Sequence, residues 1–476
     1  MNKKCQVFTP ENYVRELLDS VGYKEGLYGK TILENSCGDG NILVAVVQRY
    51  IDDCVAKGLS KKQIRYGLER DIYGVEIDTE QYEKCILNLD EVLRENNIKE
   101  VEWKIHNTDY LKWKETTQFQ FIVGNPPYIT YSELKKEQQK FVKEKFETCV
   151  KGKFDYCYAF IEKSIKSLAE NGKMAYLVPS SIFKTVFGLN LRNYMKPYVT
   201  IIKDYTQEKV FDNALVKSAI MVLDKKRQQE ALHYKDMTLE TRIDIPIKQL
   251  KDKWFFTENV EKGMKRFGDY FKVSHVVATL LNEAYVIKEE EYEETAQGFI
   301  CNGHNIERVL IRDTATPRSL RYNRNEKIIF PYRYDDNGNL IKFEEDEFES
   351  NYPETMAYLS DFRARLDKRK SDSNAKWYEY GRSQALSGLN SDKLLISTVI
   401  TDKIAVYRLS RECIPYSGMY IVKREDNNEY TLEDAVSILE SRNFRQYVLD
   451  VGIHISGSSL RITSKDVEDY KFQEEA

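Results

Sequence analysis

Short apolar runs closed by glycine, asparagine, proline or acidic residues alternate with longer stretches of helical periodicity over the first part of this chain. That alternation predicts strands separated by helices. Thr31-Ile32-Leu33-Glu34 reads as a strand, the loop Asn35-Ser36-Cys37-Gly38-Asp39-Gly40 follows, and a helical pattern starts at Asn41-Ile42-Leu43. A second strand runs from Asp71 to Asp78, a helix from Thr79 to Asn96, and a third strand from Val101 to His106. Phe121-Ile122-Val123-Gly124 makes a fourth, which breaks into Asn125-Pro126-Pro127-Tyr128. Ahead of them Glu11 to Leu18 is helical, with Thr9 as the candidate N-cap and Pro10 at the first helical position. Strands in this alternation fit an α/β sheet, in which a ligand lies over the carboxyl ends of the strands.

The residues at those ends carry suitable chemistry. Gly38 and Gly40 let a ligand approach the main chain at a helix N-terminus, where exposed N–H groups favour a phosphate or carboxylate; an ordinary tight turn uses the same residues. Glu76 closes the second strand, a place where an acid commonly grips a ribose diol. Asp109 can accept from an exocyclic amine, and Tyr110 can pack on an adenine face. In Asn125-Pro126-Pro127-Tyr128 two prolines fix φ and remove two backbone donors, leaving carbonyls, an amide and an aromatic ring on a stiff turn that can hold a planar amine. Each feature taken singly is also what a solvated strand end or a plain turn carries. Together they favour a nucleoside cofactor.

The order of Phe8-Thr9-Pro10, the Gly-rich loop, the acidic strand end, Asp109-Tyr110 and Asn125-Pro126-Pro127-Tyr128 resembles that of the γ-type, TaqI-like, S-adenosylmethionine-dependent DNA adenine-N6 methyltransferases. The similarity continues through Gly152 to Phe160 and the strand Gly172 to Pro179, and ends at Val210 to Val216, which looks like the family's aromatic segment flanking the target base. The loop departs from the family's usual Pro-Ala-Cys-Gly-Ser/Thr-Gly by carrying Asn35, Ser36 and Asp39. The resemblance implies an α/β, Rossmann-like class I methyltransferase domain over residues 1–245 and a mixed α+β target-recognition domain over 246–476. It implies S-adenosyl-L-methionine held by Thr9, Glu34, Cys37, Gly38, Gly40, Glu76, Ile77, Asp109, Tyr110 and Phe160. It also implies that the Asn125 side-chain oxygen and the Pro126 carbonyl accept from the adenine amine, with the base stacked between Tyr128 and Phe211.

Composition narrows the field. With 476 residues, 42% hydrophobic and 31% charged, the chain has a globular composition sized for two or three domains. No stretch approaches the roughly 18 to 20 apolar residues that cross a bilayer. Met1-Asn2-Lys3-Lys4-Cys5 is followed by no apolar signal segment, so a cytoplasmic protein with no membrane partner is expected. Eight cysteines without a Cys-x-x-Cys pair and five histidines without His-Glu-x-x-His support neither a disulfide framework nor a metal site. The net charge of −4 argues against indiscriminate coating of nucleic acid, although a local basic face can coexist with it. No Pro-Cys dipeptide occurs, so covalent attack on cytosine is unsupported.

The later part is basic in places. Arg312 to Arg324 precedes a predicted strand from Lys327 to Tyr332, and arginines there can bind phosphates or read guanine edges. Arg363 to Lys370 is a predicted helix. Trp377 to Arg382, Lys393 to Thr398, Ser417 to Tyr420 and Gly452 to Ile462 resemble the recognition domains of related enzymes, which makes Arg318, Arg321, Arg324, Arg382, Ser458 and Arg461 the candidate DNA contacts. The expected reaction is methyl transfer to N6 of a flipped-out adenine in double-stranded DNA by a monomer, of the restriction-modification or orphan type, with any cleavage left to a separate cognate restriction endonuclease. RNA adenine and protein-glutamine N-methyltransferases are the enzymatic alternatives, and a catalytically silent DNA-binding specificity protein is the third. The long second half weighs against the glutamine reaction. Intact Asn125, Tyr128 and Glu76 weigh against a silent protein.

Overall fold

The structure, a computed structural model, describes residues 9–205, 217–226, 230–256, 264–456 and 458–473. It divides into two compact units, Met1–Asn259 and Val260–Ala476. In the first unit β1 (Ile32–Glu34), β2 (Ile72–Glu76), β3 (Lys104–Asn107), β4 (Phe119–Gly124) and β5 (Leu168–Pro179) run parallel. They are joined by β6 (Val199–Asp204), β7 (Ser218–Asp224), β8 (Ala231–Asp236) and β9 (Arg242–Pro246) in the order β3-β2-β1-β4-β5-β7-β6-β8-β9. β7 is antiparallel to both of its neighbours. This is the Rossmann-like class I methyltransferase sheet with β8 and β9 added at one edge. The strand order reverses between β1 and β4, so the crevice of such a sheet opens above the ends of those two strands.

Both faces of the sheet are covered. Successive residues of a strand point to opposite faces, and Ile32 and Leu33 accordingly enter different apolar layers. Residues of α1 (Glu11–Val21), α2 (Asn41–Ala56), α3 (Lys61–Asp71) and α4 (Thr79–Glu95) fill one layer. Residues of α5 (Lys136–Lys145), α6 (Cys157–Ser167) and α7 (Leu189–Met195) fill the other.

Local expectations shift in several places. Pro10, not Thr9, occupies the cap of α1, with φ −60° and ψ 151° and no side-chain cap. The third strand lies over Lys104–Asn107, later than Val101–His106. The break between units falls after Asn259 and not at residue 245. Trp254 is the reason: it is fully buried, its amide donates to the Phe183 carbonyl at 2.9 Å, and its ring stacks on Phe183 with centroids 6.1 Å apart. The charged residues Lys248, Lys251 and Lys253 therefore belong to a strap that the first core holds.

The second unit is mixed α+β. Lys265–Arg266 pairs with Lys471–Phe472. Phe271–His275, Met419–Lys423, Lys393–Ile396 and Tyr407–Leu409 form an antiparallel sheet. Glu326–Ile329 lies between Val286–Lys288 and Ile311–Thr314 in a second sheet. The strand expected over 327–332 splits at Pro331, which has no amide to donate, into Glu326–Ile329 and Tyr332–Tyr334. The helix expected over 363–370 contracts to Arg363–Leu366.

Candidate active site

Hydrogen bonds join the loops at the ends of β1, β2 and β4. The Cys37 amide donates to the Val75 carbonyl at 3.0 Å, and the Gly38 amide donates to Glu76 Oε2 at 2.9 Å. Glu76 Oε1 accepts from the Asp78 amide at 2.8 Å, so both oxygens of this carboxylate are fixed by the main chain. Ser36 Oγ donates to the Asn125 carbonyl at 3.2 Å, tying the glycine loop to the Asn-Pro-Pro-Tyr turn. Thr9 joins the same cluster. Its hydroxyl accepts from Asn125 Nδ2 at 3.3 Å, and its carbonyl accepts from Asn41 Nδ2.

Gly40 has φ +87°, a left-handed conformation, and a side-chain carbon there would lie 2.7 Å from Cys85 Sγ and 3.3 Å from Cys85 Cα. Only glycine fits between the loop and α4. At Gly38 a side-chain carbon would meet nothing within 4 Å, so the backbone faces open space there. Ile77, next to Glu76, is exposed although it is a large apolar residue. Glu34 Oε2 and Asn35 Oδ1 are buried without a hydrogen-bond partner among the described residues. Burial pushes the Glu34 carboxyl well above the usual carboxylate range, and Cys85, Glu76 and Asp39 add to that rise. Burial also raises the half-buried Asp39.

On the turn itself, the Tyr128 hydroxyl lies 2.6 Å from Asn125 Oδ1 and 2.8 Å from the Leu177 carbonyl of β5. An amide oxygen has two lone pairs, so Oδ1 keeps one for a further donor even when Tyr128 takes the other. Burial raises the Tyr128 hydroxyl, with Cys157 and Asp155 contributing, and keeps it a donor. Pro126 is buried. Phe211 lies outside the described residues.

Asp109 Oδ1 accepts from the Leu111 amide at 3.0 Å. Tyr110 and Phe160, expected beside a cofactor, are 2% and 5% exposed and pack on each other with centroids 5.3 Å apart, so neither presents an open ring face. The Tyr110 hydroxyl meets Ser164 Oγ at 2.9 Å; Ser164 Oγ meets the Tyr176 hydroxyl at 2.6 Å and accepts from Asn35 Nδ2 at 2.9 Å. This buried network fixes the end of β1 against α6 and β5. Lys163 clamps the following turn through the Tyr110 and Trp113 carbonyls, and burial lowers its ammonium to about 8. Cys37 is likewise buried.

Ser36, Asn41, Ser164 and Tyr176 had no candidate role in the sequence. The available signal was weak: Asn-Ser before a glycine at a strand end is common turn chemistry. Asp155 lies in the Gly152 to Phe160 stretch, which reads as a helix entry, but the sequence gives it no role of its own. Its Oδ1 accepts from the Cys157 amide at 3.0 Å. The adjoining Tyr156 amide donates to the Ile129 carbonyl at 2.9 Å, which moors the chain just past Tyr128.

In the second unit the candidate DNA contacts separate by their partners. Arg382 pairs with Asp372 at 2.7 Å. Arg363 pairs with Asp367 at 3.0 Å, Arg365 with Glu283 at 2.6 Å, and Arg369 donates to the carbonyls of Thr279, Trp377 and Glu379. The three arginines of that run are thus engaged within the unit. Arg318, Arg321, Arg324, Ser458 and Arg461 are exposed. Among the described residues no group of His, Cys, Asp and Glu is arranged to hold a metal ion, and no helix is long and apolar enough to cross a membrane.

Comparison with known proteins bears on this site. RM.Eco57I of Escherichia coli, a type II restriction enzyme and methyltransferase, is 23% identical over an alignment covering 92% of this chain and 53% of its own length. The type II methyltransferase M.BstVI of Geobacillus stearothermophilus is 28% identical over 48% of this chain and 43% of its own. The chain thus spans about half the length of the curated relatives it matches. Among solved structures, the type IIL restriction-modification enzyme MmeI in complex with DNA shares the fold with a TM-score of 0.61 over 97% of this chain and 67% of its own, at 15% identity. A nuclease-deletion mutant of the type ISP enzyme LlaGI, with a DNA substrate mimic, gives 0.57 over 97% of this chain and 46% of its own, at 14% identity. The Eco57I restriction-modification methylase model matches residues 49–211, which include Glu76, Asp109 and the Asn125 turn. Over those residues the chain is similar to the Eco57I restriction-modification methylase family.

Proposed function

We propose that this chain transfers a methyl group from S-adenosyl-L-methionine to N6 of an adenine flipped out of duplex DNA. The observation that carries the reading is the Asn125 amide: its oxygen is anchored by Tyr128 with one lone pair to spare, and its nitrogen is anchored by Thr9. An adenine amine is a poor nucleophile because its lone pair is delocalised into the ring. Acceptors aimed at its protons favour the pyramidal, more nucleophilic nitrogen of the transition state. Asn125 Oδ1 and the Pro126 carbonyl are the acceptors, and the half-buried Tyr128 ring and Phe211 supply the stack that replaces base stacking in the duplex. The site residues suit the cofactor. Glu76 is presented to a ribose diol, the open backbone at Gly38 to the amino-acid end, and Ile77 to an adenine face. Glu34 Oε2, buried without a hydrogen-bond partner among the described residues, and Asp39 suit the cofactor's ammonium. When bound, that cofactor supplies an electrophilic methyl.

The family match at residues 49–211 and the names of the relatives support DNA over a protein amide as the acceptor. The proposal takes the enzyme to be a monomer acting on duplex DNA, with cleavage the task of a separate endonuclease. Expression in a host without adenine methylation, followed by single-molecule sequencing, tests it. The wild-type chain is expected to leave N6-methyladenine at one recurring sequence. Asn125→Ala is expected to lower transfer by roughly 100- to 1000-fold, the scale of losing one oriented polar group in a transition state, with cofactor affinity nearly unchanged by calorimetry. Undiminished methylation by the variant overturns the mechanism.

A further inference from the structure

The second unit holds a cavity of about 490 Å³ whose lining includes Arg318, Arg324, Glu326, Ser397, Thr398 and Tyr416. We propose that, on the reading of the chain as a DNA methyltransferase, this cavity reads one G·C pair through the major groove, with arginine on the guanine and Glu326 on the cytosine.

Local structure brings these groups together. Thr316 Oγ1 accepts from the Ser319 amide at 2.8 Å and starts the short helix Pro317–Arg321. The chain then turns back through Asn323, with φ +50°, and the Arg324 amide donates to the Ser319 carbonyl at 2.9 Å. Arg318 and Arg324 thereby reach the same cavity from either end of one turn. On another wall Gly418 has φ +107°, and a side-chain carbon there would lie 2.5 Å from the Ile396 carbonyl. The Ser417–Gly418 turn can press on the end of strand Lys393–Ile396 only as glycine, which sets Ser397 and Thr398 into the lining. Glu326 opens strand Glu326–Ile329, and the Tyr416 hydroxyl donates to its Oε2 at 2.9 Å. Burial, with Glu326 adding to it, raises the Tyr416 hydroxyl, so it stays protonated and holds the carboxylate in place.

Two features select the ligand. Among the described residues Arg318 and Arg324 have no carboxylate partner, whereas Arg363, Arg365, Arg369 and Arg382 are engaged. An anchored carboxylate shares the cavity with them. A phosphate offers acceptors only, and a carboxylate in its wall would repel it. A ligand for this lining must present acceptors to the arginines and a donor to Glu326. In the major groove a G·C pair does so: guanine O6 and N7 accept from a bidentate arginine, and the cytosine N4 amine donates to a carboxylate.

The test is selection of bound duplexes from a randomised pool by the full-length chain at fixed physiological salt, followed by sequencing, for wild type and for Arg318→Ala, Arg324→Ala and Glu326→Gln. Glutamine keeps an acceptor for Tyr416, and the two arginines are exposed, so all three variants should fold; thermal melting checks this. Wild type is expected to enrich a sequence with a G·C pair at a position where Glu326→Gln and at least one arginine variant lose about tenfold to a hundredfold of preference, other positions being unchanged. Preferences unchanged in all three variants overturn the inference. So does weaker binding that is uniform across sequences with a shallower salt dependence, which marks phosphate contacts. A changed preference at an A·T position, or a wild-type chain that enriches no sequence, overturns it as well. Selection reads binding without turnover. A failure here with intact methylation rejects only this assignment, and selection without methylation rejects the proposed reaction.

Discussion

Asp155 illustrates what a single residue contributes. It is half-buried ahead of α6, and burial raises its carboxyl to about 6 even though the Cys157 and Ile129 amides pull it down. In an unfolded chain an aspartate titrates near about 3.9. Between about pH 4 and 6 the native state therefore holds a proton that the unfolded state has released, and stability falls as pH rises through that window, by roughly 2 to 3 kcal/mol in all. Asp155→Asn retains an acceptor for the Cys157 amide and removes the titration. The stability difference between wild type and variant, measured by denaturant unfolding at pH 4, 5, 6 and 7, is expected to move in the variant's favour up to pH 6 and then level off. A constant difference would assign the residue no titrating role. At this scale the sequence was legible where chemistry is local. Thr9 stands out in the sequence as a helix cap and, by resemblance, as a cofactor residue; its hydroxyl accepts from Asn125, 116 positions away, a partner that periodicity has no means of indicating. Tyr110 was read for its aromatic face, and the network through Ser164 buries it.

Among the elements, β1, β2 and β4 were readable because each is a short apolar run ended by residues that cannot continue a strand. β5 is legible only from Gly172, although it begins at Leu168. α3 escaped notice: its segment is mostly charged and polar and buries only Ile64, Gly67, Leu68 and Asp71, a stripe too narrow to show as an amphipathic period. The glycine loop between β1 and α2 gives the prediction at this scale. Gly40→Ala must place a side-chain carbon against Cys85 in a left-handed conformation, which costs about 1 to 2 kcal/mol for the backbone alone. The variant is expected to unfold at lower denaturant and to bind S-adenosyl-L-methionine at least tenfold more weakly by calorimetry. Normal affinity would show that the loop tolerates displacement.

For the whole molecule, the two units make separable claims. Trp254 and β9 complete the first unit, so residues 1–259 are expected to fold and bind the cofactor with affinity within about threefold of the full chain, a shift under roughly 1 kcal/mol. Sequence-selective duplex binding is expected to be lost with residues 260–476. A fragment that still selects a sequence would move recognition into the first unit. Truncation at residue 245 instead removes Trp254 and is expected to leave an aggregating or partly folded fragment, since deleting a buried tryptophan side chain alone costs about 3 to 5 kcal/mol. By itself the sequence determined the α/β character of the first unit, the order of its strand-end motifs and the class of chemistry they resemble. Those follow from local periodicity and from the backbone restrictions of glycine and proline, which act within a few residues. Only the tertiary structure decided that Tyr110 and Phe160 are buried against each other, that Trp254 carries the first unit past the charged strap, and that Arg382 pairs with Asp372 while Arg318 and Arg324 line a cavity. An arginine's availability depends on which carboxylate the fold brings beside it, and burial depends on neighbours distant along the chain; neither quantity exists until the chain has closed on itself.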